Sequence, residues 1–269
     1  MSTLRNKVIW ITGASSGIGE ALAYALARRG NSLILSARRT EALERVKGNC
    51  PPEAQSRIRI LPFDLAQADT LQLITEAAVQ LFGYVDVVIL NGGISQRSLA
   101  METALAVDRQ LMEVDYFANV ALTKYLLPHM VKRNAGHIVV VSSVMGKIGT
   151  PYRSGYAAAK HALHGYFDSL RAELWKVCKS IRITLVCPGW VRTSITLHAL
   201  TADGTALNKM DESTAKGMDP HRFATAMIRA IEKEKEEVYI GGTKEILAVY
   251  LKRFLPGLFS RIVRSARVR

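Results

Sequence analysis

Short runs rich in Val and Ile alternate with longer amphipathic stretches along nearly the whole of this 269-residue chain. The runs Val8–Thr12, Ser32–Ser36, Arg59–Phe63, Val85–Leu90, His137–Ser142, Ile181–Val186 and Glu237–Ile240 predict seven strands, most of them apolar on both faces. Such strands lie in a parallel sheet covered on both sides, because an exposed face would bring in alternating polar residues. The stretches between them predict helices over Gly17–Arg29, Ala68–Phe82, Ala106–Arg133, Tyr156–Cys178 and Pro220–Lys233. Parallel neighbours need crossovers of that length. No composition break interrupts the pattern, so the expectation is one α/β domain over residues 1–242, a doubly wound parallel sheet with helices on both faces. Trp190–Asp219 is the irregular stretch. It is too long for an ordinary connection and is expected to form a lid over a site.

Lysine and arginine outnumber aspartate and glutamate by 36 to 23, a net charge of +13. Two readings stay open: a solvated basic surface, or an anionic partner such as a phosphorylated cofactor or an acidic lipid surface. No nucleic-acid-binding motif accompanies the charge, so nucleic acid is not an expected partner. The three cysteines, Cys50, Cys178 and Cys187, are widely spaced and form no metal-ligand pattern. They predict a reducing, cytoplasmic setting without disulfides, and no bound metal is expected. The apolar run at the amino terminus is too short for a signal peptide and enters a Gly-rich turn at once. No window offers about 18 uncharged apolar residues, so no membrane-spanning helix is expected.

That turn, Thr12-Gly13-Ala14-Ser15-Ser16-Gly17-Ile18-Gly19, joins the first strand to the first helix. Glycines there let the backbone turn sharply and approach a pyrophosphate, whose charge is stabilised by free amides at the helix start. Sites for NAD usually place an acidic residue at the end of the second strand, to accept from the ribose 2′-hydroxyl. This chain has Ala37-Arg38-Arg39 instead. Arg38 can pair with a 2′-phosphate in a forked geometry, so NADP(H) is expected in preference to NAD(H). The alternative is that these arginines only solvate a strand end.

Tyr156 and Lys160 stand four residues apart, with Ser143 thirteen positions upstream. On a helix that spacing puts phenol and ammonium on one face. A cation beside the phenol stabilises the phenolate, which suits a tyrosine that gives a proton to a carbonyl oxygen or takes one from an alcohol.

Taken together these residues resemble the short-chain dehydrogenase/reductase family, over nearly all of the chain up to about residue 242. The glycine loop is met by Thr12, Gly13, Gly17 and Gly19, and the aspartate near the adenine by Asp64, followed by Leu65. Asn91-Gly92-Gly93 stands where the family has Asn-Ala-Gly, and Pro188-Gly189, with Val191 and Thr193, follows the sixth strand. The resemblance implies a Rossmann fold and an oxidoreductase acting on a carbonyl or alcohol. Tyr156 would be the proton donor or acceptor. Lys160 would tune it and bond the nicotinamide ribose, and Ser143 would hold the substrate oxygen. Thr193 and the backbone near Pro188 would hold the carboxamide. Relatives commonly form homodimers or homotetramers. One position departs from the pattern: the asparagine that kinks the long central helix and holds a relay water is Asp115 here. The expectation is that Asp115 takes over the relay. Asn119, one turn later, does not align.

Ile94, Ser95, Val144, Met145, Gly146, Tyr152, Trp190, Ile195 and Leu197 are expected around the substrate. The apolar members fit a lipid- or sterol-like body, or simply pack the lid; a small polar carbonyl stays open. Beyond the family core, residues 243–269 carry an apolar stripe of Ile246, Leu247, Tyr250, Leu251 and Phe254, a Pro256-Gly257 break, then Leu258, Phe259, Ile262 and Val263. Seven cations (Lys244, Lys252, Arg253, Arg261, Arg264, Arg267 and Arg269) against Glu245 give +6 of the net charge in these last 27 residues. A basic amphipathic helix of this kind either packs on protein or lies in an anionic membrane interface. The competing reading of the whole chain is a catalytically idle NADP-binding sensor or scaffold.

Overall fold

The computed structural model describes residues 3–265. Its centre is a seven-stranded parallel sheet in the order β3-β2-β1-β4-β5-β6-β7. The strands are β1 Val8–Thr12, β2 Ser32–Ser36, β3 Ile58–Ile60, β4 Val87–Leu90, β5 Gly136–Val141, β6 Ile181–Pro188 and β7 Glu237–Ile240. Chain order reverses between β1 and β4, so the loops leaving their carboxyl ends diverge and open a crevice. The doubly wound expectation holds.

Helices α1 Gly17–Ala27, α2 Thr40–Gly48 and α3 Pro52–Gln55 precede β3, and α4 Leu71–Gln80 precedes β4. Then come α5 Leu105–Met112, α6 Ala118–Arg133, α7 Ser154–Val177, α8 Glu212–Ala215, α9 Pro220–Glu232, α10 Thr243–Phe254 and α11 Pro256–Ser265. Side chains of β1 alternate between two cores, as strand geometry requires. Ile9 and Ile11 join Leu22 and Leu26 of α1 and Phe223 and Met227 of α9. Val8 and Trp10 join Leu122 and Leu126 of α6 and Leu163 and Phe167 of α7.

Three expectations need correcting. The third strand, expected over Arg59–Phe63, is Ile58–Ile60, although Leu61 N still donates to Leu35 O at 3.0 Å and Phe63 N to Ala37 O at 3.2 Å beyond its end. The long helix expected over Ala106–Arg133 is divided into α5 and α6 by a π turn at Glu113–Phe117, at the position where the family resemblance places a kink. Helices α2 and α3 were not anticipated, although Leu43 and Val46 supply a short apolar stripe that α2 buries.

The carboxyl-terminal segment forms two helices packed on the domain. Val249 of α10 and Phe259 of α11 are buried against Val144, Met145, Ile148 and Ala157. The opposite side of the pair exposes Leu247 at 61% and Phe254 at 72%, together with Tyr250, Leu258 and Ile262. Arg267 and Arg269 lie outside the described residues. Among the described residues no helix is long and apolar enough to cross a membrane.

Candidate active site

The glycine loop leaves β1 and is tied to the loop leaving β4. Thr12 Oγ1 accepts from the amides of Asn91 and Gly92 at 3.0 and 2.9 Å. Asn91 Nδ2 donates back to the carbonyls of Thr12 and Gly13 at 3.0 and 3.2 Å. Gly17 holds φ +58, and a Cβ on it would lie 2.9 Å from Thr193 Cγ2. A Cβ at Gly19 would lie 2.2 Å from the Gly13 carbonyl oxygen, so helix and loop close only without side chains there. That bare backbone cradle at the start of a helix is what a pyrophosphate requires, and the residues fit a dinucleotide.

Ser143 follows β5 in extended conformation, and its Oγ accepts from Met145 N at 3.1 Å. Tyr156 and Lys160 rise from the first two turns of α7. Gln96, fully buried, receives the Gly155 and Tyr156 amides on Oε1 at 2.8 and 3.3 Å, so it satisfies two orphan donors at the helix start and fixes the height of Tyr156. Lys160 Nζ lies 5.7 Å from the Tyr156 ring centroid. It donates to Val141 O at 3.3 Å and faces Asp115 Oδ2 at 3.4 Å.

Asp115 sits in the π turn, wholly buried. Its Oδ1 accepts from Ile94 N at 2.8 Å, and its backbone carbonyl accepts from Asn119 Nδ2 at 2.8 Å. Asn119 thus supports the widened turn from below. Burial raises the Asp115 carboxyl above its ordinary value, with Lys160 and the Ile94 amide opposing. Burial alone would lower Lys160, but Asp115 and then Tyr156 outweigh it and hold the ammonium above its ordinary value. A Cβ at Gly93 would press on both partners, 2.9 Å from Asp115 Oδ1 and 3.3 Å from Lys160 Nζ.

A family profile described as short chain dehydrogenase matches residues 7–203. The chain belongs to the short-chain dehydrogenase/reductase family. It is 42% identical over 275 residues to a dehydrogenase/reductase SDR family protein 7-like of Drosophila melanogaster, covering 99% of this chain and 82% of that one. An alcohol dehydrogenase from Thermococcus sibiricus, solved with 5-hydroxy-NADP, is 27% identical with a TM-score of 0.75, over 88% of this chain and 97% of that one. A short-chain dehydrogenase/reductase from Burkholderia phymatum, solved with NAD, has a TM-score of 0.84 at 23% identity and covers 96% of each chain; it shares the fold.

In this member of the short-chain dehydrogenase/reductase family, an oxidoreductase family, one cleft of about 470 Å³ gathers most of the residues singled out from sequence. Gly13, Ser15, Ser16, Gly17, Ile18, Arg38, Arg39, Asp64, Leu65, Asn91 and Gly92 line one end; Pro188, Gly189, Val191 and Thr193 line the wall beyond β6. Ser143, Tyr156, Lys160, Met145 and Trp190 line it where β5, α7 and the insertion meet. Gly19 and Asp115 stand behind the surface, and Tyr152, expected beside the substrate, does not line the cleft. Tyr152 holds φ +67 and its carbonyl accepts from Ser98 N, so the turn before α7 presents the next residue, Arg153, to the cleft.

The insertion is clipped down. Val191 and Met218 bridge its two ends, Leu200 N donates to Ser95 O, and Arg97 N donates to Leu200 O, both at 2.8 Å. This brings Asp211 to Arg97 at 2.9 Å and Arg153 at 3.7 Å. Sequence reasoning missed this trio, whose members lie far apart in the chain. Behind Lys160, Ser142 Oγ donates to the Lys160 carbonyl at 3.2 Å and contacts His164 Nε2 at 3.0 Å. His164 Nδ1 lies 3.3 Å from Glu237 Oε2. His164, Asp168 and Glu237 bring possible ligand atoms within 4.8 Å of one another. The Lys147 ammonium already sits 2.8 Å from that same Glu237 oxygen, and we assign no metal there.

Proposed function

We propose that the protein is an NADP(H)-dependent oxidoreductase interconverting a ketone or aldehyde and the corresponding alcohol. The observation that carries this reading is the convergence of Ser143, Tyr156 and Lys160 on the cleft that the glycine loop opens. A bound nicotinamide dinucleotide supplies the hydride for reduction or accepts it in oxidation. Everything else falls to the chain's own groups. The Tyr156 hydroxyl gives its proton to the carbonyl oxygen, or takes one from the alcohol. Ser143 Oγ donates to the same oxygen and stabilises the charge that gathers on it. Lys160 keeps a positive charge beside the phenol and would bond the ribose of a bound dinucleotide, and Asp115 holds that ammonium in place. Arg38 and Arg39, both exposed after β2, support a phosphorylated cofactor, since no carboxylate occupies the end of that strand.

In the same reading residues 1–242 are one catalytic domain, 190–219 its lid and 243–269 an accessory extension. We also propose that the outer side of α10 and α11 rests on an anionic lipid surface. Its exposed Leu247, Tyr250, Phe254, Leu258 and Ile262 are flanked by Lys244, Lys252, Arg253, Arg261 and Arg264, the pattern such a surface attracts.

A panel of carbonyls and alcohols followed by NADPH absorbance, with NADH in parallel, tests the catalytic reading. Turnover of at least one carbonyl with NADPH is expected. No turnover across apolar, polar and charged carbonyls would refute it, and equal rates with NADH would refute the role of Arg38.

A further inference from the structure

The substrate end of the cleft holds more guanidinium charge than the protein neutralises. Arg97 follows β4, Arg153 immediately precedes α7, and the insertion offers them a single carboxylate, Asp211. Arg153 is only 2% exposed, yet it lines the cleft with Trp190 and with Tyr156, three positions further on. Its guanidinium lies 4.8 Å from the centroid of the Trp190 ring, and Nη1 donates to Thr150 Oγ1 at 3.3 Å. Among the described residues Nη2 has no hydrogen-bond partner. Asp211 Oδ2 is 3.7 Å from it and already accepts from Arg97 Nη2 at 2.9 Å. The other oxygen, Oδ1, accepts from Thr214 N at 2.6 Å.

Asp211 Oδ2, the oxygen nearest Arg153, is shared with Arg97 and also accepts from Thr196 Oγ1 at 3.3 Å, so the buried fork of Arg153 is left short of a close acceptor. Burial and then Arg97 push Arg153 down to about 10, with Asp211 and Tyr156 opposing, and at that value it still carries its charge at neutral pH. A buried charge whose one counter-ion is distant and shared with a second cation is costly to keep. Its persistence beside a catalytic cleft makes sense when the ligand brings the missing acceptors.

We infer that Arg153, backed by Arg97, docks an oxyanion group, carboxylate or phosphate, which the substrate carries near its reacting carbonyl. The planar fork suits either group, and stacking on Trp190 fixes its plane. Val144, Met145 and Ile195 line the same cleft and face an apolar body. The substrate is thus an amphiphilic oxo acid or oxo phosphate ester and not a neutral apolar ketone. This rests on the carbonyl-reductase reading of the same cleft and narrows it.

The test uses the full chain, with and without NADP+, and compares octanoate, octyl phosphate and octanol by thermal shift and by calorimetry. At least one anion should bind about tenfold or more tightly than octanol, and the tighter of the two distinguishes carboxylate from phosphate. In Arg153→Met that advantage should collapse towards one, and Arg153→Lys should recover part of it. Octanol binding as tightly as both anions overturns the inference in the unmodified protein, whatever becomes of the variant. So does an anion preference that survives Arg153→Met. Binding reports the anion site without turnover, whereas a carbonyl panel with no NADPH oxidation would sink the reductase reading alone.

Discussion

The Asp115 carboxylate and the Lys160 ammonium form a buried ion pair, 3.4 Å from Oδ2 to Nζ, with the two side chains 0% and 6% exposed. Each end is anchored to a different part of the fold. Asp115 Oδ1 is held by the backbone amide of Ile94 after β4, and Lys160 projects from α7 towards the Val141 carbonyl that ends β5. The pair locks the helix carrying Tyr156 to the carboxyl ends of β4 and β5. It also holds the ammonium above its ordinary value where burial alone would lower it.

Asp115→Asn keeps an acceptor for Ile94 and nearly the same shape but removes the countercharge. Burial then meets less opposition, so Lys160 releases its proton at lower pH than in the parent protein. The alkaline limb of the pH profile of kcat/KM should move towards neutrality, with the rate at neutral pH down about tenfold. Superimposable profiles would show that Asp115 has no part in holding the charge.

Tyr156→Phe should lower kcat by about 10²–10⁴-fold, the usual worth of a positioned proton donor. Calorimetric binding of NADPH should persist, because the phenol hydroxyl does not build the glycine cradle. Retained turnover would remove Tyr156 from the chemistry and require another proton donor in the cleft.

Arg38→Ala removes the forked donor proposed for the 2′-phosphate. The KM for NADPH should rise by about 10–100-fold, the worth of a charge-assisted contact, while the KM for NADH barely moves. Equal changes for both cofactors would mean that Arg38 does not read the phosphate.

The sheet and the order of the site were legible because both depend on local signals. Runs such as Ile138–Val141 are apolar on both faces and have little choice but a central parallel strand; Ser143 follows that run directly, and Tyr156 and Lys160 share one face of the next helix by their spacing of four. The break in the central helix was legible only through the family resemblance, which places a kink at Asp115; nothing in Glu113–Phe117 itself breaks helical periodicity, and the π turn shows in the inward carboxylate and the Asn119 side chain that satisfies the Asp115 carbonyl. The Arg97–Arg153–Asp211 trio was hidden for another reason. It depends on Leu200 docking on Ser95 and Arg97, a pairing across about a hundred residues that leaves no trace in composition. Tyr152 was singled out over Arg153 because the left-handed backbone at 152, which settles which neighbour meets the cleft, is unusual for tyrosine.

Deleting residues 243–269 is a poor test of membrane contact, because it would also uncover the core that Val249 and Phe259 close. Charge placed on the outer side avoids that fault. The triple variant Leu247→Glu, Phe254→Glu, Ile262→Glu changes side chains that are 61%, 72% and 49% exposed. In flotation with phosphatidylserine-containing vesicles the parent should partition with the lipid and the variant should stay below. Neutral phosphatidylcholine vesicles should bind the parent less, and less still at high salt. Equal partitioning of parent and variant would sink the lipid reading.

Glu237, at the start of β7, ties that strand to the back of the site. Burial pushes its carboxyl up, but bonds from His164, Lys147 and Tyr239 outweigh burial and hold it down at about 2. In an unfolded chain the same group titrates near about 4.3. Between those values the unfolded state binds more protons than the folded one, so the stability from Glu237 is complete above pH ~4.3 and drains away as the pH falls to about 2. Glu237→Gln removes that contribution at the outset. The gap in melting temperature between parent and variant should be full at pH 6 and should narrow steadily between about pH 4 and about pH 2. A gap of constant width would mean that the ionised carboxylate is not what ties β7 down. The same variant should disturb catalysis at neutral pH only indirectly, because His164 reaches Lys160 through Ser142 and its backbone carbonyl and leaves the ammonium untouched. Loss of kcat comparable to Tyr156→Phe would place Glu237 much closer to the chemistry than this geometry allows.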